Sequence, residues 1–288
     1  MSESDLLPGW AVETLHGNYL QGLRIGHMLY DSETALQRIR IFENKTFGQV
    51  LTLDNIVQTT TGDEFIYHEM LAHVPILAHG EAKRVLIIGG GDGGMAREVL
   101  RHVSVEHVTM VEIDRTVIEL SRTYLPTLSA GAFDDPRLDL VIADGAAFVA
   151  ETDRRFDIVI IDSTDPVGAG EALFTKSFYA AAKTCLAKGG VLVTQNGVPF
   201  LQGAELTSTM RTFRAIFSDA TCYLATVPSY SGGPMAFGWG TDGDAGKASL
   251  ETLRARYQAA GLRTRYYTPE VHLGAFALPG YIRDLVEG

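Results

Sequence analysis

From Lys83 onward, short apolar runs alternate with stretches of helical composition. Arg84–Ile88, Val108–Ile113, Leu138–Ile142, Ile158–Ile161 and Val191–Thr194 read as strands. Met95–Arg101, Arg115–Tyr124 and Ser177–Leu186 read as the helices between them. Strand following helix in this way predicts a doubly wound parallel sheet. Further on, Thr221–Val227 and Pro234–Trp239 have strand composition around a Ser-Gly-Gly turn, which predicts a closing antiparallel hairpin. Ala245–Ala260 reads as a late helix and Leu278–Glu287 as a short terminal one.

The first sixty residues follow a different period. Tyr19–Ile25 partly alternates, and Leu36–Glu43 begins polar and then alternates as a strand should. Val50–Leu53 turns at Asp54-Asn55 into Ile56–Thr60, a hairpin pattern. Residues 10–60 therefore predict a small antiparallel sheet. Asp63–Val74 reads as a helix with Phe65, Ile66, Met70 and Val74 on its apolar face and Thr61 or Asp63 as its cap. Pro75 and Gly80 punctuate the passage onward. The expected division is residues 1–78, a β-strand domain with a connecting helix, and residues 79–288, the larger domain.

Charge narrows the function. With 24 basic and 35 acidic residues the formal net charge is −11, which argues against nucleic acid or an anionic membrane as the main partner. No apolar run approaches the roughly 18 residues of a membrane span, and the first ten residues lack the basic and apolar regions of a signal peptide. A cytoplasmic protein is expected. Cys185 and Cys222 sit in apolar segments and read as packing residues, not a disulfide or metal pair.

Val85–Gly94, VLIIGGGDGG, carries the candidate chemistry. An apolar run, a glycine turn and a helix make the first half of a nucleotide-binding βαβ unit, and Gly89, Gly91 and Gly94 satisfy G-x-G-x-x-G. Asp92 is informative by its sign. An anion in this turn repels a pyrophosphate, which counts against a dinucleotide, and favours a ligand with an ammonium tail. Ligands in such sheets bind outside the carboxyl ends of the strands, and here each relevant end carries an acid. Glu112, about twenty residues beyond the turn, suits ribose hydroxyls. Asp144, before Gly145, reads equally as an acceptor from an adenine amine or as a helix N-cap. Asp162-Ser163-Thr164-Asp165-Pro166 sets two carboxylates three residues apart, suited to an amine, a divalent metal or a base. Metal is disfavoured, because no histidine or further acid stands nearby at ligand spacing. His68 and His73 are five apart on a helix, so they face differently and read as polar histidines, not ligands.

Taken together, these stretches resemble the polyamine aminopropyltransferases, specifically the bacterial type of spermidine synthase. The resemblance runs through Ile41–Asn44, Leu53-Asp54, Val57–Thr60, Asp63–Met70, Gly89–Gly94, Val111–Asp114, Asp144-Gly145, Asp162–Pro166 with Gly168, and Pro228–Tyr230. It implies an α/β fold of the class I S-adenosylmethionine-methyltransferase type, a Rossmann-like mostly parallel sheet with a small N-terminal antiparallel β domain. It implies transfer of an aminopropyl group from decarboxylated S-adenosylmethionine to putrescine, with no metal and no cofactor beyond that co-substrate. Homodimers or tetramers are implied as well.

By the same resemblance Asp162 is the catalytic acid that orients and deprotonates the attacking amine. Asp92 takes the aminopropyl ammonium, Glu112 the ribose, Asp144 and Gly145 the adenine. Gln37, Gln58, Gly89, Gly91 and Ala169 are further nucleoside contacts, with Gln195 a weaker one. Tyr67, His68, Ser163, Thr164, Asp165 and Tyr230 line the acceptor side. Asn55, Thr61-Gly62 and Ala169 depart from the usual pattern, and none of them removes a reactive group. Two rivals keep the same fold: an S-adenosylmethionine-dependent amine methyltransferase, against which Asp92 with the Tyr67-His68 pair counts, and a non-catalytic binding module, which should have lost the reactive acids. A nicotinamide dehydrogenase is disfavoured by the anionic turn.

Overall fold

The computed structural model describes residues 7–165 and 168–288. Of the residues singled out above, Pro166 and the side chain of Ala169 lie outside the described residues.

The N-terminal region is antiparallel, as its alternation predicts, but it forms two sheets instead of one. Strands β1 (Trp10–His16) and β2 (Tyr19–Arg24) pair as a hairpin. Strands β3 (His27–Glu33), β4 (Arg38–Asn44), β5 (Gly48–Leu53) and β6 (Ile56–Thr60) form a separate four-stranded meander. β3 is an edge strand with no fully buried position, so it carries little apolar signal. Asp54 and Asn55 both take positive φ, 49° and 66°, as a two-residue hairpin turn requires.

Helix α1 (Glu64–His79) follows and runs beyond its predicted end, straight through Pro75. A mid-helix proline costs about 3 kcal/mol. Continuing the helix buries Ile76, Leu77 and Ala78, and a large apolar side chain contributes about 1.5–3 kcal/mol when buried. Burial therefore wins, and the helix stops only at Gly80, whose φ of 85° suits a left-handed cap. Asp63 is the N-cap residue but makes no side-chain cap bond. Its carboxylate instead accepts from the Thr60 hydroxyl (2.7 Å) and the Ser229 backbone N–H (2.6 Å).

The larger part alternates as expected: β7 (Arg84–Gly89), α2 (Gly94–Leu100), β8 (His107–Glu112), α3 (Arg115–Tyr124), the single turn α4 (Pro126–Ser129), β9 (Leu138–Ile142), α5 (Gly145–Glu151), β10 (Phe156–Asp162), a 3-10 turn at Gly168–Phe174, α6 (Lys176–Thr184) and β11 (Leu186–Gln195). Then come α7 (Pro199–Ile216), β12 (Asp219–Ala225), β13 (Met235–Thr241), α8 (Leu250–Ala259), α9 (Pro269–Ala275) and α10 (Gly280–Glu287). The pattern did not mark α7 or α9, and the late helix splits into a 3-10 turn and α8.

The seven-stranded sheet has the order β12-β13-β11-β10-β7-β8-β9. β9 through β11 pair in parallel, and β13 with β12 closes the edge antiparallel. Both faces are covered, which explains the unbroken apolar runs. Val85 and Ile87 face the core shared with α1 and α2, while Leu86 and Ile88 face the core shared with α6 and α7. From β7 the chain steps first to β8 and β9 on one side, then to β10 and β11 on the other. The order in which the chain adds strands reverses between the parallel β7 and β10, and a ligand crevice opens beyond the carboxyl ends at such a point. Cys185 and Cys222 are buried and free. Among the described residues no helix is long and apolar enough to cross a membrane.

Candidate active site

A cavity of about 290 Å³ lies at the β7/β10 switch point. Gly89 ends β7 directly opposite Asp162, which ends β10. The two strand ends approach so closely that a Cβ on Gly89 would lie 2.0 Å from the Asp162 carbonyl oxygen. That carbonyl accepts from the Gly90 N–H at 3.1 Å. The glycine turn thus seats the start of α2 beside the last residue of β10.

Asp162 is held from above by α1. The Tyr67 hydroxyl donates to its Oδ1 at 2.6 Å. Burial, and then the charge of Asp92, push the Asp162 carboxyl up to about 6, against the opposing pull of His68 and Tyr67. Tyr67 is pushed far above its ordinary range by burial and by Asp162, so its proton stays in place. Tyr230 packs edge-on against Tyr67, ring centroids 6.1 Å apart, and donates its hydroxyl to the Gln58 carbonyl.

His68 stands beside them with its ring against Gly94, where any Cβ would lie 2.3 Å from the imidazole. Its Nδ1 lies 2.6 Å from Glu64 Oε2 and its Nε2 3.6 Å from Asp92 Oδ2. Burial disfavours the imidazolium, yet Asp92 and Glu64 outweigh it and push His68 up to about 9. Glu64 is in turn gripped by Arg97 at 2.8 Å; despite its burial, His68 and Arg97 pull it down to about 2. Asp92 accepts from the Gly94 N–H at 2.8 Å, at the start of α2, while its other oxygen faces His68.

Along the other strand ends, Glu112 accepts from the Asp114 N–H at 2.9 Å and is pushed up to about 7 by burial. Gly91 leaves room for it, since a Cβ there would meet Glu112 Oε2 at 2.9 Å. Asp144 caps α5, accepting from the Ala146 and Ala147 N–H groups at 2.7 and 3.1 Å, and it also lines the cavity with Gly145. The N-cap reading of Asp144 is therefore realised without removing it from the cavity. Gln37 reaches across from the meander and donates to Asp114 at 3.0 Å. Asp165 accepts from Gln202 at 2.9 Å and is raised by burial. Gln195 donates to the Thr164 carbonyl at 3.2 Å.

The structure thus brings Gln37, Gln58, Tyr67, His68, Gly89, Gly91, Asp92, Glu112, Asp144, Gly145, Asp162, Ser163, Thr164, Asp165, Gln195 and Tyr230 to one cavity. His73 lies elsewhere, buried against Glu98 and His102. Sequence reasoning missed Glu13 and His16 on β1, and Gln202 on α7, all of which line the same space. Glu13 accepts from the Val57 N–H at 2.8 Å and is raised by burial. No local motif marks these residues; only the folding of β1 and α7 over the sheet brings them in. The lining carries seven carboxylates and, among the described residues, no lysine or arginine. Such a wall suits a cationic ligand and opposes a phosphate.

Comparison with known proteins agrees with this geometry. A sequence model described as the spermine/spermidine synthase domain matches residues 64–247, and one described as the spermidine synthase tetramerisation domain matches residues 9–61. The chain belongs to the spermine/spermidine synthase family. As a member it is an enzyme of the polyamine aminopropyltransferase class, as the sequence resemblance implied. A polyamine aminopropyltransferase of a Ruegeria species is 64% identical over 96% of this chain and 98% of its own length. Polyamine aminopropyltransferase 1 of Pseudomonas aeruginosa is 56% identical over 95% and 96%. Among solved structures, a spermidine synthase in complex with the transition state analogue AdoDATO matches with a TM-score of 0.91 at 39% identity, over 96% of this chain and 94% of that one. The spermidine synthase of Thermotoga maritima matches with a TM-score of 0.88 at 37% identity, over the same shares. The family's architecture, a Rossmann-like sheet behind a small β domain, is the one described above.

Proposed function

We propose that this enzyme is a spermidine synthase, moving an aminopropyl group from decarboxylated S-adenosylmethionine to putrescine and releasing 5′-methylthioadenosine. The observation that carries the reading is the cavity wall: seven carboxylates with no lysine or arginine among the described residues, around a Tyr67–Asp162 pair. The donor's adenine sits at Asp144 and Gly145, its ribose hydroxyls donate to Glu112, and its ammonium rests on Asp92. An S-adenosylmethionine carboxylate in that last position would face the Asp92 anion.

The reaction is a single displacement. The lone pair of the putrescine nitrogen forms a bond to the aminopropyl carbon, the carbon–sulfur bond breaks, and its electron pair stays on sulfur as a neutral thioether. A neutral leaving group needs neither an acid nor a Lewis acid, so we propose no metal and no cofactor. The difficulty is the nucleophile, since an alkylamine near pKa ~10.4 is protonated at neutral pH. Asp162, raised by burial, is a better base than an ordinary aspartate, and it takes the nitrogen's proton. The buried ring of Tyr67 and the half-buried ring of Tyr230 desolvate the amine and lower its own pKa. Asp165 anchors the second ammonium. Much of the rate comes from alignment at about 3–3.5 Å.

The match of residues 9–61 to the tetramerisation model supports assembly of this chain into homodimers or tetramers. The deciding experiment supplies decarboxylated S-adenosylmethionine with putrescine, cadaverine, agmatine and 1,3-diaminopropane and identifies products by mass. The reading expects spermidine as the main product, with methylthioadenosine in equal amount. Absence of spermidine, or preference for another acceptor, would overturn it.

A further inference from the structure

Helix α7 starts with a defect. Gln202, four residues after the N-cap Val198, has φ −118° and ψ 33°, far from helical values, while the helix continues beyond it to Ile216. A sharp departure inside a helix has a cause, and here it is the side chain. Gln202 Oε1 turns back to accept from the Val198 N–H at 2.8 Å. Its Nε2 donates to Asp165 Oδ1 at 2.9 Å and also to Glu205 Oε2 at 3.3 Å. The space for this is kept by Gly197, where a Cβ would lie 2.3 Å from Gln202 Oε1. Two carboxylates therefore share one amide, and the backbone is bent to arrange it.

Glu205 is the unexplained partner. It is not part of the cavity wall, its Oε1 is buried with no hydrogen-bond partner, and no cation faces it among the described interactions. Burial, and then Asp165, push its carboxyl up to about 8. A buried acid in this condition costs stability unless something relieves it. Asp165 and Glu13 lie on the cavity side of the same cluster, and Glu13 feels the charge of Asp165. Such a group of acids is relieved by a cation in the cavity beside Asp165. An extended step of three residues separates Asp165 from Asp162 by at most about 10 Å of chain, which suits the two ends of one short diamine.

We propose that Gln202 and Glu205 are positioning residues that set acceptor specificity. Gln202 fixes where the Asp165 carboxylate stands to receive the acceptor's trailing ammonium, and Glu205, accepting from the same amide, holds Gln202 in place. This rests on the diamine acceptor proposed above. Neither residue touches the reacting atoms, so their loss acts on acceptor binding and leaves the displacement alone.

The test compares wild type, Glu205→Leu, Glu205→Asp and Gln202→Met, each checked for folding by thermal melt. Steady-state KM and kcat are measured for putrescine and for the donor. The inhibition constant of n-butylamine, which lacks the second amine, is measured alongside. Loss of the Gln202–Glu205 contact or of the Gln202 amide predicts a putrescine KM about tenfold higher in Glu205→Leu and Gln202→Met, with kcat, donor KM and the n-butylamine constant within about twofold of wild type. Glu205→Asp restores part of the loss. Discrimination between putrescine and cadaverine narrows in Gln202→Met, because Asp165 is no longer fixed. An unchanged putrescine KM in both variants overturns the proposal. So does a rise that n-butylamine shares in full, since that is a general packing effect. A wild-type enzyme that makes no spermidine refutes the function itself; one that makes it while the variants behave as wild type refutes only this role.

Discussion

The hydroxyl of Tyr67 donates a 2.6 Å hydrogen bond to Oδ1 of Asp162, joining the largely buried helix α1 to the carboxyl end of the central strand β10. The bond fixes the plane of the carboxylate and leaves its other oxygen for the proposed attacking amine. Asp162→Asn keeps the shape and the acceptor but removes the proposed base. Turnover is expected to fall by about 10²–10⁴, with donor affinity changed little. Single-turnover rates and calorimetric binding of methylthioadenosine check the two halves.

The same substitution makes an opposite prediction for stability. The folded protein holds the Asp162 proton up to about pH 6, whereas the unfolded chain releases it near 3.8. The folded state thus binds the proton more tightly, and stability contributed by this group falls as pH rises from 3.8 through 6. Above pH 6 the whole penalty is present. At pH 7.5 Asp162→Asn should be more stable than wild type by on the order of 1–3 kcal/mol, and the difference should vanish near pH 4. Urea melts at the two pH values measure it.

Glu64 gives the reverse sign. His68 and Arg97 hold it down to about 2, from an ordinary 4.5. Its contribution to stability is fully present above pH 4.5 and is lost as pH falls toward 2. Glu64→Gln leaves Arg97 and His68 short of a charge and should cost about 3–5 kcal/mol at neutral pH. Because His68 faces Asp92 at 3.6 Å, the variant should also weaken donor binding while acceptor KM holds. Melts at pH 7 and donor KM check both effects.

The pH profile separates donor binding from chemistry. In the proposed donor pose Glu112, raised by burial to about 7, accepts from both ribose hydroxyls only when ionised, so donor kcat/KM should decline below about pH 7. In the ternary complex the sulfonium and ammonium of the substrates draw Asp162 downward. The acid limb of kcat should therefore lie at or below about 6. A Glu112→Gln variant should lose the first limb and keep the second.

How much of this was legible in the chain follows from what kind of signal each residue leaves. Asp92, Glu112, Asp144 and Asp162 stand at the ends of apolar runs, and a parallel sheet gathers its strand ends by construction, so their convergence could be read directly. Glu13 sits on β1 in a separate hairpin, and Gln202 reaches the cavity only because α7 is bent at that residue. Neither leaves a periodic or motif signature. The continuation of α1 through Pro75 was invisible for another reason: proline is a local signal, and the burial that overrides it is tertiary. The second N-terminal sheet was lost because an edge strand such as β3 buries too little to show its period.

The most direct test of the account sets two donors side by side. Purified enzyme is given putrescine with either decarboxylated S-adenosylmethionine or S-adenosylmethionine, and nucleoside products are followed by mass. The proposed placement of the donor's tail at Asp92 in a carboxylate-lined cavity predicts methylthioadenosine and spermidine from the first, and no turnover from the second. Formation of S-adenosylhomocysteine and N-methylputrescine from the second would contradict it.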